Sequence, residues 1–195
     1  SIFSHAQNWN EVIKSVASDR EAGDWFGYDV AMSGDYAIVG ALYEDHDANG
    51  AYYKSNAGSA YIFKKNNGVW VQHQKLAATD RSSGHRFGSS VAIDGDYAIV
   101  GAIKTAGNTG GAYIFKRTGT TWTQQQKITA SDRQGNDNFG HSVSISGEYA
   151  IIGANKEDHD AIGDSTLIDA GSAYIFQRTG TTWTQQQKIV AADRA

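Results

Sequence analysis

The chain repeats itself, and this repetition constrains its fold more than any other feature of the sequence. A segment that begins with Phe-Gly and ends with Gly-Ala occurs at residues 26–41, 87–102 and 139–154. Each copy leads to an Ala-Tyr-Ile-Phe segment, then to a tryptophan and an Asp-Arg pair. The tryptophans are Trp9, Trp70, Trp122 and Trp183, and the pairs are at residues 19–20, 80–81, 132–133 and 193–194. Repetition at this period predicts an array of similar supersecondary units, in which most repeated residues serve architecture.

The second copy shows what one unit contains. Residues 89–93 and 97–102 predict two strands, because they are short, apolar and β-branched and flank an Asp-Gly-Asp turn signal. Residues 111–117 predict a third strand, and residues 121–128 a polar fourth strand with one wet face. Four short strands with tight turns, repeated roughly every 50 to 60 residues, predict an all-β chain of four-stranded antiparallel β-propeller blades. A β-solenoid has shorter rungs and lacks such regular hairpins.

The number of repeats predicts an open structure. The chain is interpreted as a single propeller segment over residues 1–195, with an outer-strand segment at 9–17 and repeats at 21–81, 82–133 and 134–194. Propellers contain about four to eight blades, so three repeats predict an incomplete ring with exposed edges. Closure requires either self-association or the remaining blades of a longer chain. Because repeat three has its own outer strand at 182–189, the segment at 9–17 is redundant, which favours a fragment or a swapped arrangement.

Composition excludes several classes of function. The net charge of -4, without a basic patch, argues against nucleic acid as a partner. No apolar run approaches the about 20 residues of a membrane span, so no membrane insertion is expected. The absence of cysteine excludes disulfides and thiol chemistry. Motifs of serine hydrolases, phosphate-binding loops and zinc peptidases are also missing, so the chain is predicted not to be an enzyme.

The repeated cores resemble a known family. Phe26-Gly27 with Val39-Gly40-Ala41, and the same pattern in the other two copies, resemble the FG-GAP repeats of the integrin α-subunit propeller and of bacterial surface and secreted proteins. The style is closest to the bacterial form. The resemblance implies a secreted or cell-surface, lectin-like module for binding or adhesion to a glycan or protein. The alternatives are a structural segment of a larger surface protein and, third, a hydrolytic enzyme.

Two acidic loops are candidate calcium sites. The family's own calcium loop does not carry over, because residues 33–35, 94–96 and 146–148 are tight turns with too few ligands. The loops between the second and third strands of repeats one and three are instead rich in oxygen ligands, which Ca²⁺ requires. The candidate ligands are Asp45, Asp47, Asn49, Asp158, Asp160 and Asp164. The alternatives are solvated surface loops, or a transition-metal site that uses His46 and His159.

Residues that differ between copies are the best candidates for ligand binding. Trp25 precedes Phe-Gly where the other copies have Arg86 and Asn138, and several tyrosines surround the first acidic loop. Exposed aromatic side chains form platforms for sugar rings and hot spots for proteins. The predicted ligand-binding residues are Trp25, Tyr43, Tyr52 and Tyr53. The alternative is ordinary structural variation at the edge of a blade.

Overall fold

The chain forms three four-stranded antiparallel sheets, here called blades one to three. The computed structural model describes residues 14–159 and 167–192. Blade one contains β1 (Phe26–Ser33), β2 (Tyr36–Ala41), β3 (Ser59–Asn66) and β4 (Val69–Leu76). Blade two contains β5 (Phe87–Asp94), β6 (Tyr97–Ala102), β7 (Gly111–Thr118) and β8 (Thr121–Ile128), with helix α1 (Thr105–Asn108) between β6 and β7. Blade three contains β9 (Phe139–Ser146), β10 (Tyr149–Ala154), β11 (Ser172–Thr179) and β12 (Thr182–Ile189).

The strands follow chain order within each sheet, which confirms the predicted blade. In blade two, β5 pairs with β6 from Asp94–Tyr97 to Phe87–Ala102 around the predicted Asp-Gly turn. Gly95 has a φ of 55°, the left-handed conformation that a two-residue hairpin loop requires. The predicted second and fourth strands match β6 and β8 in their bounds. The predicted first and third strands match β5 and β7 with small extensions at their ends.

Helix α1 lies between β6 and β7, the second and third strands of blade two. It is a single turn of four residues, and such a segment is too short to show a hydrophobic period. It occupies the place of the longer acidic loops in blades one and three. In the described part of the chain, no helix is long and apolar enough to cross a membrane.

The blades pack face to face around their first strands. We call the face of a blade that meets the preceding blade its front face, and the face that meets the following blade its back face. The back face of blade one presents Tyr36, Ile38, Ala60, Ile62 and Leu76 to the front face of blade two. That front face consists of Phe87, Val91, Ile93, Ala98, Val100, Tyr113, Phe115 and Trp122. The same arrangement joins blades two and three, so two apolar interfaces form most of the core.

Glycine lets the inner strands approach closely. A Cβ atom on Gly40 of β2 would lie 2.1 Å from the backbone oxygen of Gly88 in the next blade. A Cβ atom on Gly101 would meet the oxygen of Gly140 at the same distance. The repeated Phe-Gly and Gly-Ala motifs therefore face each other across each blade interface, where only glycine fits.

The aspartates of the repeated Asp-Arg pairs anchor each linker to the blade that follows it. Asp80 accepts hydrogen bonds from the Tyr113 hydroxyl at 2.8 Å and from Lys127 Nζ at 2.7 Å. Asp132 binds Tyr174 and Lys188 of blade three in the same way. Asp19 likewise forms an ion pair with Lys75 of blade one at 2.7 Å. The fourth pair and Trp9 lie outside the described residues.

Candidate functional site

An exposed aromatic cluster stands at the end of blade one where β1 begins and β2 ends. The indole ring of Trp25 lies 4.7 Å from the ring of Tyr43 in an edge-on arrangement. It also lies 6.1 Å from Tyr28 with the ring planes only 28° apart. Trp25 is 57% exposed and Tyr28 49% exposed. We call these three residues the aromatic site; it joins two of the predicted ligand-binding residues, Trp25 and Tyr43, to Tyr28.

The backbone that carries Trp25 is unusual for a tryptophan. Its φ is 55°, in the left-handed region, and its counterparts Arg86 and Asn138 both have a φ of 57°. The residue before each Phe-Gly therefore has a left-handed conformation in all three blades. In blade one this residue begins a turn, in which the Tyr28 amide donates a hydrogen bond to the Trp25 carbonyl oxygen. Asparagine tolerates this region, whereas a bulky residue there carries strain of about 1 kcal/mol or more. Blade one thus holds an exposed indole at a position that does not favour it.

The aromatic site has no counterpart in the other blades. Tyr28 corresponds to Ser89 and His141, and Tyr43 corresponds to Lys104 and Lys156. Across the blade boundary, the guanidinium group of Arg86 lies 5.3 Å from the centre of the Tyr43 ring. A cation over a ring face stabilises both groups, so Arg86 supports the site from blade two.

A polar cleft of about 390 Å³ adjoins the aromatic site at the first strands of the three blades. Its walls are Tyr28, Asp29, Ser89, Ser90, Ile103, His141, Ser142 and Val143. Asp29 accepts a hydrogen bond from the backbone of Val91 at 2.7 Å, which fixes its carboxylate between blades one and two. The Ser89 hydroxyl is buried and has no hydrogen-bond partner. Donors and acceptors thus lie directly beside an aromatic ring.

The other two predicted binding residues lie on the acidic loop of blade one. Tyr53 packs against His46, with ring centres 5.7 Å apart. Tyr52 lines a separate cleft of about 360 Å³ together with Asp47, Lys54 and Arg81. In the described part of the chain, no ring contact joins either tyrosine to Trp25.

The acidic loops begin with a glutamate that points into the protein. Glu44 is 1% exposed and accepts hydrogen bonds from the Ser59 hydroxyl at 2.7 Å and the His46 backbone at 2.8 Å. It also pairs with Lys75 at 2.8 Å. Glu157 repeats these contacts with Ser172, His159 and Lys188. Blade two has Thr105 and Gly111 in place of Glu and Ser, so this buried network belongs only to the blades with acidic loops.

The next carboxylates of the first loop organise its backbone. Asp45 accepts a hydrogen bond from the Asn56 amide at 2.6 Å, and Asp47 accepts bonds from the amides of Asn49 and Ala51. Hydrogen bonds from these amides, that of Ala51 above all, hold the pKa of Asp47 below its ordinary value. The sequence does not reveal this role, because an aspartate that accepts hydrogen bonds from backbone amides is the same residue as an aspartate that binds a metal.

Arg81 places a positive charge beside the first acidic loop and binds its backbone. Its guanidinium donates to the backbone oxygens of Asp45 and Tyr52. Burial lowers the pKa of Arg81, whereas the nearby carboxylates of Glu44, Asp47 and Asp45 favour its charged form. Two loop carbonyls that could bind a cation therefore already bind Arg81.

Among the described residues there is no group of three metal-binding side chains. In the third repeat, Asp158 accepts the Asp169 amide at 2.7 Å, while Asp160 and Asp164 lie outside the described residues. Calcium binding at Asp45, Asp47, Asn49 and the third-repeat loop stays a prediction.

The fold places the chain in the class of β-propeller proteins, because repeated four-stranded blades that pack around their first strands are the units of a β-propeller. The FG-GAP repeat model matches residues 9–63, 70–115 and 122–176, which is most of the chain. The chain belongs to the FG-GAP repeat family. The second and third matches each run from an outer strand into the first three strands of the next blade. No relative among curated proteins matches the chain.

Proposed function

We propose that this chain is a non-enzymatic binding module that recognises a glycan at the aromatic site of blade one. The observation that carries the proposal is the exposed Trp25, held at a left-handed backbone position that the other blades give to Arg86 and Asn138. Arg86 shares this backbone strain, so blade one is distinguished by the exposed indole that Trp25 places at the repeated position. Tyr28 and Tyr43 extend the same surface.

The chemistry beside Trp25 suits a sugar. A pyranose ring has an apolar face that stacks on an aromatic ring and hydroxyl groups that need hydrogen bonds. The aromatic site offers rings for stacking. Asp29, Ser89 and His141 in the adjoining cleft offer hydrogen-bond partners for the hydroxyl groups. The cleft of about 390 Å³ lies within the range of small-ligand sites, about 300–1,000 Å³.

A glycan array with a matched variant tests the proposal. The variant Trp25→Asn/Tyr28→His/Tyr43→Lys gives blade one the residues that blade three carries at the same positions. Blade three folds with this combination of residues, and circular dichroism checks that the variant folds as well. The wild type is expected to bind a defined set of glycans and the variant to lose them, whereas a Tyr52→Ser control should bind normally. An array without any bound glycan would contradict the proposal.

Other outcomes would identify the competing functions. If the wild type binds a protein that the triple variant does not bind, the ligand of the aromatic site is a protein and not a glycan. Absence of both ligands would favour a structural segment of a larger surface protein. Turnover of generic glycosides or phosphodiesters would show a hydrolytic enzyme. Adhesion, and a secreted or surface location, are part of the proposal and rest on the family alone.

The proposed function includes calcium assistance at the acidic loop of blade one. It would require Asp45 and Asp47 to bind a cation with the oxygen atoms that their backbone contacts leave free. A Tb³⁺ luminescence titration compared between the wild type and Asp47→Asn tests it. If both proteins give the same Tb³⁺ signal and millimolar Ca²⁺ does not change it, the loop does not bind calcium.

A further inference from the structure

The two ends of the blade array are complementary to each other. In the described part of the chain, no blade precedes the front face of blade one and no blade follows the back face of blade three. We propose that these faces pack together between two copies of this chain, so that blade three of one copy sits on blade one of the other. Two such contacts, related by a two-fold axis, would close a ring of six blades.

The free back face of blade three carries the residues that are buried in both internal interfaces. Tyr149, Ile151, Ala173, Ile175 and Ile189 correspond in register to Tyr36, Ile38, Ala60, Ile62 and Leu76. Ile38 and its blade-two counterpart Ile99 are 0% exposed, whereas Ile151 is 41% exposed. Tyr149 is 52% exposed, whereas Tyr36 is buried. The face has the chemistry of an interface, but none of the described residues forms a blade that covers it.

The free front face of blade one shows the same pattern. Val30 and Met32 correspond to Val91 and Ile93 of blade two, and they are 63% and 65% exposed where those two residues are buried. The counterparts of the buried Phe87 and Trp122 are Phe26 and Trp70, which are only partly buried. Phe26, Met32, Val39, Phe63 and Trp70 line an apolar groove of about 230 Å³ on this face.

The specific contacts that join the blades are also available at both ends. At each internal interface a back-face tyrosine meets a front-face tryptophan: Tyr36 with Trp122 at 5.8 Å, and Tyr97 with Trp183 at 5.9 Å. Tyr149 and Trp70 would form the third such pair. Arg117 and Arg178 lie over these tyrosines, and Lys65 occupies the same register position on the free front face.

Backbone hydrogen bonds from a glutamine complete the match. Gln74 exchanges two hydrogen bonds with the backbone of Trp122, and Gln126 does the same with Trp183. On the free back face the counterpart is Gln187, which pairs with Ile175 as Gln74 pairs with Ile62. The second copy therefore brings an apolar face, an aromatic pair and a directional polar contact, all in one register.

The segment just before blade one lies at the edge of this contact. Ser15 lines the apolar groove of the front face. The buried Ala17 belongs to the same apolar cluster as Tyr61 and Phe63. A second copy would therefore pack against this segment as well as against the strands of blade one.

Solution mass measured by light scattering tests the proposal. The wild type is expected at twice the 21.0 kDa of one chain. Ile151→Lys on the back face and Met32→Lys on the front face should each weaken association by at least about 100-fold, because a lysine would be buried without a partner. Both positions are exposed in the single chain, so the variants should fold, which circular dichroism checks. Ile168→Lys, at an exposed position off both faces, is the matched control and should remain a dimer.

Mixing the two variants gives the decisive result. Each variant keeps one intact face. In an equimolar mixture, one contact of the ring joins the two intact faces and the other joins the two altered faces. The mixture should therefore form dimers held by the one intact contact, at concentrations where neither variant associates alone and with a lower affinity than the wild type. A wild type that stays at 21.0 kDa at every concentration would overturn the proposal. A mass that grows without limit with concentration would also overturn it, because the contact would then form open filaments instead of a closed pair.

Discussion

Single positions in the repeat have fixed backbone conformations, and the residues placed there reveal what each blade does. The position before Phe-Gly is left-handed in all three blades, although only blade three has a residue that favours it, Asn138. A sequence pattern shows that Trp25 is not repeated, but it does not show φ. The aromatic site could therefore be suspected from sequence, whereas its strain required the structure.

Replacement of Trp25 by asparagine should leave stability nearly unchanged. Relief of about 1 kcal/mol of backbone strain offsets the loss of ring contacts worth about 0.5–1.5 kcal/mol. We expect the free energy of unfolding of Trp25→Asn, measured in urea, to lie within about 1 kcal/mol of the wild type. A loss much larger than this would show that Trp25 is a structural residue and would weaken the proposed function.

Gly27 and Gly88 form a matched pair for the close approach of the inner strands. Their φ angles are 90° and 88°, so alanine meets the same backbone strain at both. At Gly88, however, a Cβ atom would lie 2.3 Å from the backbone oxygen of Ser59, whereas at Gly27 it would meet nothing within 4 Å. Gly88→Ala should therefore cost at least about 1–3 kcal/mol more than Gly27→Ala when urea unfolding is measured below the concentration of association. Equal losses would show that the contact between Gly88 and Ser59 does not limit the size of this residue.

At the scale of the strand, the same residue has different energetic roles in different blades. Trp122 lies in the interface between blades one and two and is 2% exposed, whereas Trp70 lies on the open front face. We expect Trp122→Ala to lower the free energy of unfolding by about 3–5 kcal/mol. Trp70→Ala should cost clearly less in a monomeric chain. Denaturant titrations below the concentration of association measure both, and similar losses would mean that the open face is covered.

The linker anchors make stability depend on pH. Burial raises the pKa of Asp80, but hydrogen bonds from Lys127 and Tyr113 outweigh it, so the pKa lies below its ordinary value. Asp132 has the same balance with Lys188 and Tyr174. Because both pKa values are lower in the folded state, their stabilisation is present above pH about 4 and is lost as the pH falls further.

The thermal midpoint should therefore fall below pH about 4, and it should fall less in the double variant Asp80→Asn/Asp132→Asn. Thermal scans between neutral and acid pH measure this difference. The variant should be less stable than the wild type at neutral pH and approach it in acid. Parallel curves at all pH values would mean that these carboxylates do not hold the linkers.

Strand positions could be predicted because alternation, turn residues and repetition all agree, as in β6 and β8. The contacts of the acidic loop could not be predicted, because its carboxylates look alike in the sequence. Glu44 enters the core to meet Lys75, while Asp45 and Asp47 bind backbone amides. Lys75 is distant from Glu44 in the chain, and Asn56 is well separated from Asp45, so no local pattern identifies these two partners. The partners of Asp47 are local, but a carboxylate in a turn and a carboxylate that binds a metal have the same sequence pattern. The meeting of Trp25 with Tyr43 depends in the same way on the pairing of β1 with β2.

At the scale of the whole molecule, architecture and function occupy different parts of the repeat. Residues common to all copies build two apolar interfaces and leave two complementary faces at the ends. Residues found only in blade one build the aromatic site. A two-fold pair of chains would present two such sites, and the resulting avidity would strengthen binding to a repetitive glycan surface.

The central claim is that the aromatic site of blade one binds the ligand, and a calorimetric titration tests it most directly. A glycan selected on the array is titrated into the wild type and into Trp25→Asn/Tyr28→His/Tyr43→Lys, both confirmed to be folded and of equal solution mass. We expect the affinity of the variant to be at least about 100-fold weaker, since three aromatic contacts are removed. Equal affinities would contradict the claim and place the ligand elsewhere on the molecule.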